Sequence, residues 1–381
     1  MPVIYFRRIR PEGVPAKNDA FGPGRDLGEE VLMTAKDRED LNTEMLYEAS
    51  DAPAPAEDQT LIHPLSIGGL RLPNNIFLAP MAGVTDNSFR LLCHEQGAGF
   101  CFTEMISAKG VHYNGQGSLE LARVTEAEGP VGVQIFGSDP EIMGEAAERF
   151  AELGAPLIDI NMGCPVRKVA GNGEGSALLE SPVLAERIVE AVRRRSGLPV
   201  SVKLRRGFYT GKEMCVECAQ AAEQGGAAMI TVHGRYREEF YSGHSDWSAV
   251  ERVKRAVSVP VILSGDVLSR EDALAAMSLT GADGVMIGRG AMGDPWLFRR
   301  IVNSGPAPSP EERRLTVLRH MSLLNGFKGE ETAVAEMRKH IIWYVKGLRG
   351  SSKFRAEICS ARDLGEACDR VNLFFDSLVS L

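Results

Sequence analysis

Eight short apolar runs constrain this chain more than any other feature; they fall at residues 76–79, 100–103, 131–135, 157–160, 200–204, 229–232, 261–263 and 285–287. All are rich in Val, Ile, Leu, Met or Phe, and most are continuously apolar rather than alternating, the texture of a strand covered on both faces. Most of the intervening segments carry helical patterning. Asp139-Pro140 opens one helix, with Ile142, Met143, Ala146, Ala147, Phe150 and Leu153 on one face and Gly154 closing it. Ser181-Pro182 opens another, with Val183, Leu184, Ile188 and Val192 turned inward and Gly197 after its end. Strands alternating with amphipathic helices predict a parallel sheet. Eight such units in about 230 residues predict an α/β fold of the (β/α)8 TIM-barrel type, since doubly wound sheets usually stop at fewer strands.

The flanks differ from this body. Residues 1–60 show no sustained periodicity and contain Gly22-Pro23-Gly24 and Ala52-Pro53-Ala54-Pro55-Ala56, which predicts a disordered or weakly structured extension with at most one helix near 29–48. After Pro306-Ala307-Pro308-Ser309-Pro310 the strand texture ends, and helices are predicted at 311–325, 331–348, 354–361 and 364–378. The plan is therefore an extension at 1–60, a barrel at 61–306 and a small all-α helical domain at 307–381. No apolar run approaches the roughly 20 residues that span a bilayer, and three arginines within residues 1–10 leave no secretory core there. Seven cysteines without regular spacing suit reduced thiols in a cytoplasmic protein.

Net charge is −8, but residues 1–60 alone carry −6 of it. Residues 338–355 hold Arg338, Lys339, Lys346, Arg349, Lys353 and Arg355 and no acid, interleaved with Trp343, Tyr344 and Phe354. A basic, aromatic-bearing segment on a near-neutral body fits a surface that tracks phosphates.

Barrel enzymes work at the C-terminal ends of their strands. Those ends here carry Pro80-Met81-Ala82-Gly83, Glu104, Gln134, Asn161-Met162-Gly163-Cys164-Pro165, Lys203 with Arg205, His233-Gly234-Arg235, Ser264-Gly265-Asp266 and Gly288-Arg289-Gly290. The last two, on adjacent strands, predict a phosphate clamp in which backbone N–H groups approach the ligand and Arg289 adds charge. A phosphate-anchored cofactor then lies within reach of Gln134, Lys203 and His233. A lysine at a strand end suits a partner that becomes anionic, such as a reduced flavin, because an unpaired buried ammonium is costly. Cys164 lies on a loop at the same face. A thiol with an ordinary pKa near 8.5 is protonated at neutral pH and can act as a general acid; the alternative role is a nucleophile, which needs a neighbouring base. Cys215 and Cys218 form a Cys-x-x-Cys within a helical stretch, without a second pair or His ligands, so they read as one helix face; Cys93, Cys101, Cys359 and Cys368 are likewise assigned to packing. No metal site is expected.

Several of these elements together resemble the tRNA-dihydrouridine synthase family. They are Leu78-Ala79-Pro80-Met81-Ala82-Gly83-Val84-Thr85-Asp86, Asn161-Met162-Gly163-Cys164-Pro165 with Lys168-Val169, His233-Gly234-Arg235, and Gly265-Asp266 followed by Gly288-Arg289-Gly290. The likeness spans about 62–375, and the tail with Met337-Arg338-Lys339-His340 and Trp343-Tyr344 is most similar to the bacterial B-type subgroup. It implies FMN held by Pro80, Met81, Ala82, Gln134, Lys203, His233, Ser264, Gly265, Asp266, Gly288 and Arg289, with NADPH as reductant. It implies a tRNA uridine as substrate, hydride transfer from flavin to C6 and a proton from Cys164 to C5. Asn161, Lys203 and Arg235 would orient the base, while Arg338, Lys339, Lys346, Arg349, Lys353 and Arg355 would hold tRNA. Ser264 departs from the Asn common in the family, and residues 1–60 have no usual counterpart there. A small-molecule FMN barrel of the dihydroorotate or dihydropyrimidine type is the alternative; it shares fold and cofactor but has no use for a basic tail. No membrane and no obligate protein partner is implied.

Overall fold

The structure, a computed structural model, describes residues 61–379. The extension and its expected helix near 29–48 lie outside the described residues. All eight expected strands form: β3 (Ile76–Leu78), β4 (Phe100–Phe102), β6 (Val131–Phe136), β7 (Ile158–Met162), β8 (Val200–Gly207), β9 (Met229–Tyr236), β10 (Val261–Ser264) and β11 (Gly284–Ile287). Every neighbouring pair is parallel, and β11 pairs with β3 while β4 pairs with β6, so the sheet closes into a barrel.

Three short strands were not expected. A hairpin of β1 (Leu65–Ile67) and β2 (Leu70–Leu72) precedes the barrel, turned by Gly68 and Gly69 at φ +53° and +93°. Positive φ at both central residues matches the right-handed twist of the flanking strands, which glycine permits at least strain. Ile67 and Leu72 pack with Phe77, Phe100, Phe102, Met229, Ile262 and Met286 in one buried cluster. The hairpin therefore plugs the N-terminal end of the barrel with apolar side chains. The third strand, β5 (Ile106–Ser107), adds to the far end of β6.

Above that plug the interior turns polar. Register sets Gln134 beside Asp159 and Asp159 beside Ser201. The next level holds Asn161, Lys203 and Thr231, and the one above it Arg205, His233 and Ser264. Side chains two apart on a strand share a face, so these levels stack toward the open mouth. Between barrel and helices sits the larger core, with Ile160, Val202, Val232, Leu263 and Ile287 outward and Met143, Phe150, Ile188 and Val250 facing them. The helices Pro140–Glu152 and Pro182–Ser196 start at their predicted prolines. Val183, expected inward, is 69% exposed; Ala185 and Val189 join Ile188 and Val192 on the inner face instead.

The C-terminal segment forms four helices, Pro310–Lys328, Glu330–Tyr344, Ser351–Cys359 and Leu364–Val379. They share a second apolar core that includes Val317, Met321, Leu324, Ile341, Val371 and Phe375. This unit docks on the first barrel helix, Asn87–Glu95. Phe89 stacks on His320 at 5.9 Å and lies 5.7 Å from His340, and Arg319 pairs with Glu95 through both guanidinium nitrogens.

Candidate active site

The loop after β7 carries Cys164. The side-chain oxygen of Asn161 accepts from the N–H groups of Gly163 (3.1 Å) and Cys164 (2.9 Å), which folds the chain back over its own strand. Arg205 on β8 donates to the Gly163 carbonyl at 2.9 Å and to the carbonyls of Tyr236 and Phe240, tying this loop to the one after β9. Gly175 sits at φ +60°, where a Cβ would stand 3.1 Å from Cys164 Cβ and 2.9 Å from Val169 Cγ1, so only glycine fits behind the thiol. Cys164 is half-buried. Burial pushes its pKa up, opposed by the Val166 N–H and by the positive charges of Arg205 and Lys203, with burial prevailing. The thiol is therefore protonated at neutral pH.

Beneath the loop runs a chain of buried hydrogen bonds. Ser201 Oγ donates to Asp159 Oδ1 (2.5 Å), Gln134 Nε2 donates to Asp159 Oδ2 (2.6 Å), and Asn161 Nδ2 donates to Gln134 Oε1 (2.8 Å). Asp159 is fully buried, and desolvation raises its pKa to about 6 despite bonds from Gln134 and Ser201 and the nearby charge of Lys203. Gln134, expected at the cofactor, has no exposed surface, and both ends of the Gln134 and Asn161 amides are hydrogen-bonded inside the protein.

Lys203 is different. Its ammonium has no hydrogen-bond or ion-pair partner among the described residues, and desolvation, assisted by the charge of Arg205, lowers its pKa to about 8. Beside it on β9, the buried Thr231 hydroxyl also lacks a partner. His233 is held far below its ordinary pKa, first by burial and then by Arg205, Lys203, Arg235 and Arg289, so its imidazole is neutral. Arg235, expected to touch a base, is 1% exposed. It donates to the carbonyls of Ser242 and Gly243 and to Asp266 Oδ2 at 2.8 Å.

Asp266 is the hub of the opposite wall. Its carboxylate accepts from Arg235, from the Ser245 N–H (2.7 Å) and from Arg289 Nη2 (2.9 Å). Burial alone would raise its pKa, but these donors hold it below the usual carboxylate range. The same carboxylate therefore positions Arg289, whose guanidinium also lies 5.0 Å from the Tyr241 ring. The backbone N–H groups of Gly265 and Asp266 donate to no acceptor among the described residues. Free donors after β10 beside a guanidinium after β11 suit an anionic group. Across the mouth, Glu104 accepts from the Gly83 N–H and fixes the loop that bears Pro80, Met81 and Ala82.

The basic segment divides. Lys346, Arg349 and Lys353 are exposed, and Lys346 and Arg349 have no ion-pair partner among the described residues. Lys339 reaches the barrel mouth, its Nζ standing 3.3 Å from where a Gly83 Cβ would be. Arg338 turns inward and donates to the Ala361 carbonyl at 2.9 Å, and the Arg355 Nε is buried. Cys215 and Cys218 are buried on the helix Cys215–Gln224, as expected, whereas Cys359, assigned to packing, is exposed. No group of three or more metal-ligating side chains occurs among the described residues, and no described helix is long and apolar enough to cross a membrane. The sequence reading left the roles of Asp159, Ser201 and Tyr241 unseen. The strand alternation that pairs Asp159 with Asn161 was available as a signal, but their cross-strand partners were not.

Fold and mouth together define a (β/α)8-barrel enzyme with a thiol loop on one wall and, opposite it, N–H groups of Gly265 and Asp266 beside the Arg289 guanidinium. Residues 77–378 match the dihydrouridine synthase (Dus) family model. The tRNA-dihydrouridine synthase B of Pseudomonas aeruginosa is 42% identical over 81% of this chain and 95% of its own length. A probable tRNA-dihydrouridine synthase of Rickettsia bellii is 38% identical over 83% and 99%. The chain belongs to the dihydrouridine synthase family. Among solved structures, histamine dehydrogenase from Rhizobium sp. 4-9 matches at a TM-score of 0.51 and 14% identity, covering 69% of this chain and 51% of that one. A 2-naphthoyl-CoA reductase complex matches at 0.52 and 13%, covering 65% and 53%. These two likenesses concern the fold alone.

Proposed function

We propose that this chain reduces a uridine of tRNA to 5,6-dihydrouridine, with FMN in the barrel mouth and NADPH as reductant. The carrying observation is the Cys164 thiol on a mouth loop seated by Asn161 and Arg205, near a Lys203 ammonium that has no partner among the described residues. The residues present fit FMN: free N–H groups at Gly265 and Asp266 with Arg289 suit its phosphate, and Lys203 and the neutral His233 suit polar edges of its ring. Ser264, Gly288, Pro80, Met81 and Ala82 border the same space at the ends of β10, β11 and β3. Bound there and reduced, FMN would supply hydride chemistry toward uracil C6. Cys164 then gives its proton to C5, and the positive charges of Lys203 and Arg205 stabilise the thiolate until solvent returns a proton. Lys203 offers its N–H donors to an anionic ring edge or to a base carbonyl.

A base buried in a duplex or stack must be extruded to reach such a mouth, at a cost of a few kcal/mol. Lys346, Arg349 and Lys353 on the helical domain, and Lys339 at its junction with the mouth, would hold the RNA by its phosphates during that step. A small dihydroorotate-type substrate has no use for the exposed positive charge of Lys346, Arg349 and Lys353. The test is to incubate FMN-loaded protein with NADPH and tRNA lacking dihydrouridine, and to map the product. Formation of dihydrouridine at one position, restored when the gene is returned to a deletion strain, is expected. Turnover of free uracil or orotate, with tRNA untouched, overturns the reading.

A further inference from the structure

The relay beneath the Cys164 loop has a direction. Each amide in it can point two ways, since its oxygen only accepts and its NH2 only donates. Nothing about Gln134 or Asn161 alone selects one orientation. Asp159 does: a carboxylate only accepts, so it demands the NH2 of Gln134, which sends Gln134 Oε1 toward Asn161. That oxygen demands the NH2 of Asn161, which sends Asn161 Oδ1 toward the loop, where it meets two N–H donors at Gly163 and Cys164. Reversing Gln134 would set its oxygen against the carboxylate and NH2 against NH2; reversing Asn161 would set oxygen against oxygen and NH2 against the loop N–H groups. The relay crosses three adjacent strands, β6, β7 and β8, and all its side chains are buried. With a pKa of about 6, Asp159 is ionised at neutral pH and keeps its acceptor character.

We propose that Asp159 is the positioning residue of the Cys164 loop: as an acceptor at the foot of the relay, it fixes the polarity of the Gln134 and Asn161 amides and thereby the seat of the thiol. It touches neither substrate nor cofactor and acts through Asn161. The kinetic part of the proposal rests on the reduction proposed above; the placement of the thiol does not.

Two variants separate an acceptor from a buried charge. Asp159→Val removes the acceptor with little change of width. Asp159→Asn retains a carbonyl that can face Gln134, while its NH2 faces Ser201, whose hydroxyl rotates to accept. The first readout needs no turnover: iodoacetamide labelling followed by peptide mass mapping, with Cys164 measured against the exposed Cys359 of the same molecule. D159V is expected to raise the Cys164/Cys359 rate ratio at least threefold as the loop loosens, and D159N to bring it back within about twofold of the parent. With tRNA, D159V is expected to lower kcat tenfold or more with KM within twofold, and D159N to recover most of that loss. A parental labelling ratio in D159V, or a D159N as impaired as D159V, overturns the proposal. If D159V does not fold, Gln134→Met cuts the relay one link higher; it must raise the same ratio, and a parental ratio there is equally fatal. Should the parent protein make no dihydrouridine, the reading of the reaction fails, while the labelling ratios still decide the role of Asp159.

Discussion

Lys203, Arg205 and Arg235 inside the barrel mouth, and Lys346, Arg349 and Lys353 on the helical domain, put two clusters of positive charge on one chain by opposite means. In the mouth, Arg205 and Arg235 are buried and donate to the carbonyl of Gly163, to carbonyls at and after the end of β9, and to Asp266. Of the three, only Lys203 has no partner among the described residues, and desolvation has already lowered its pKa to about 8. On the helical domain the charges are solvated and unanchored apart from Lys353, which lies 3.6 Å from Glu357. The first arrangement fixes geometry and tunes protonation. The second supplies long-range attraction that salt can screen. Chemistry needs the former and capture of a polyanion the latter.

Four experiments break or sharpen that contrast. Cys164→Ala should lower the rate of dihydrouridine formation by about 10²–10⁴-fold, the usual worth of a placed general acid, with tRNA affinity within twofold; single-turnover kinetics and filter binding read both. The triple replacement of Lys346, Arg349 and Lys353 by Ala should do the reverse. Its binding should weaken by about tenfold, and its log–log salt slope should shrink by about two to three, with single-turnover chemistry at saturating tRNA little changed.

Lys203→Arg tests the tuned charge. The ammonium is charged below about 8 and neutral above, so activity that depends on it should fall as pH rises through that value. An arginine stays charged there, so this variant should lose the alkaline limb while showing a several-fold lower maximum, read from a pH–rate profile. The smallest expected effect is on stability. Gly175→Ala imposes both a positive φ and a 2.9 Å contact with Val169, at a cost of order 1–3 kcal/mol. Calorimetry should show a melting temperature lower by a few degrees.

The barrel was legible because its strands are short apolar blocks between recognisable helix starts, a signal carried locally by each segment. The loop of Cys164 was legible for a similar reason: Gly163 and Pro165 interrupt an apolar strand where a mouth residue must lie. The plugging hairpin also carries a local signal, Gly68-Gly69 between Leu-Ser-Ile and Leu-Arg-Leu, with strands too short to stand out among the apolar runs. The roles of Arg235 and Gln134 were not legible. Arg235 looks like a free mouth cation until Asp266, 31 residues away, is seen to hold it. For Gln134, the sequence shows a residue suited to a ligand but not the bonds to Asp159 and Asn161 at the two ends of its amide.

The order of strands, helices and turns, the closed barrel and the presence of a thiol at its mouth follow from the sequence by itself, because burial patterns and backbone preferences act over a few neighbouring residues. Which polar groups remain available was decided only in three dimensions. A hydrogen bond has one donor and one acceptor, and the barrel brings together partners from strands and loops far apart in the chain; only their packed arrangement determines which side chains are used up and that Lys203 is left with free donors.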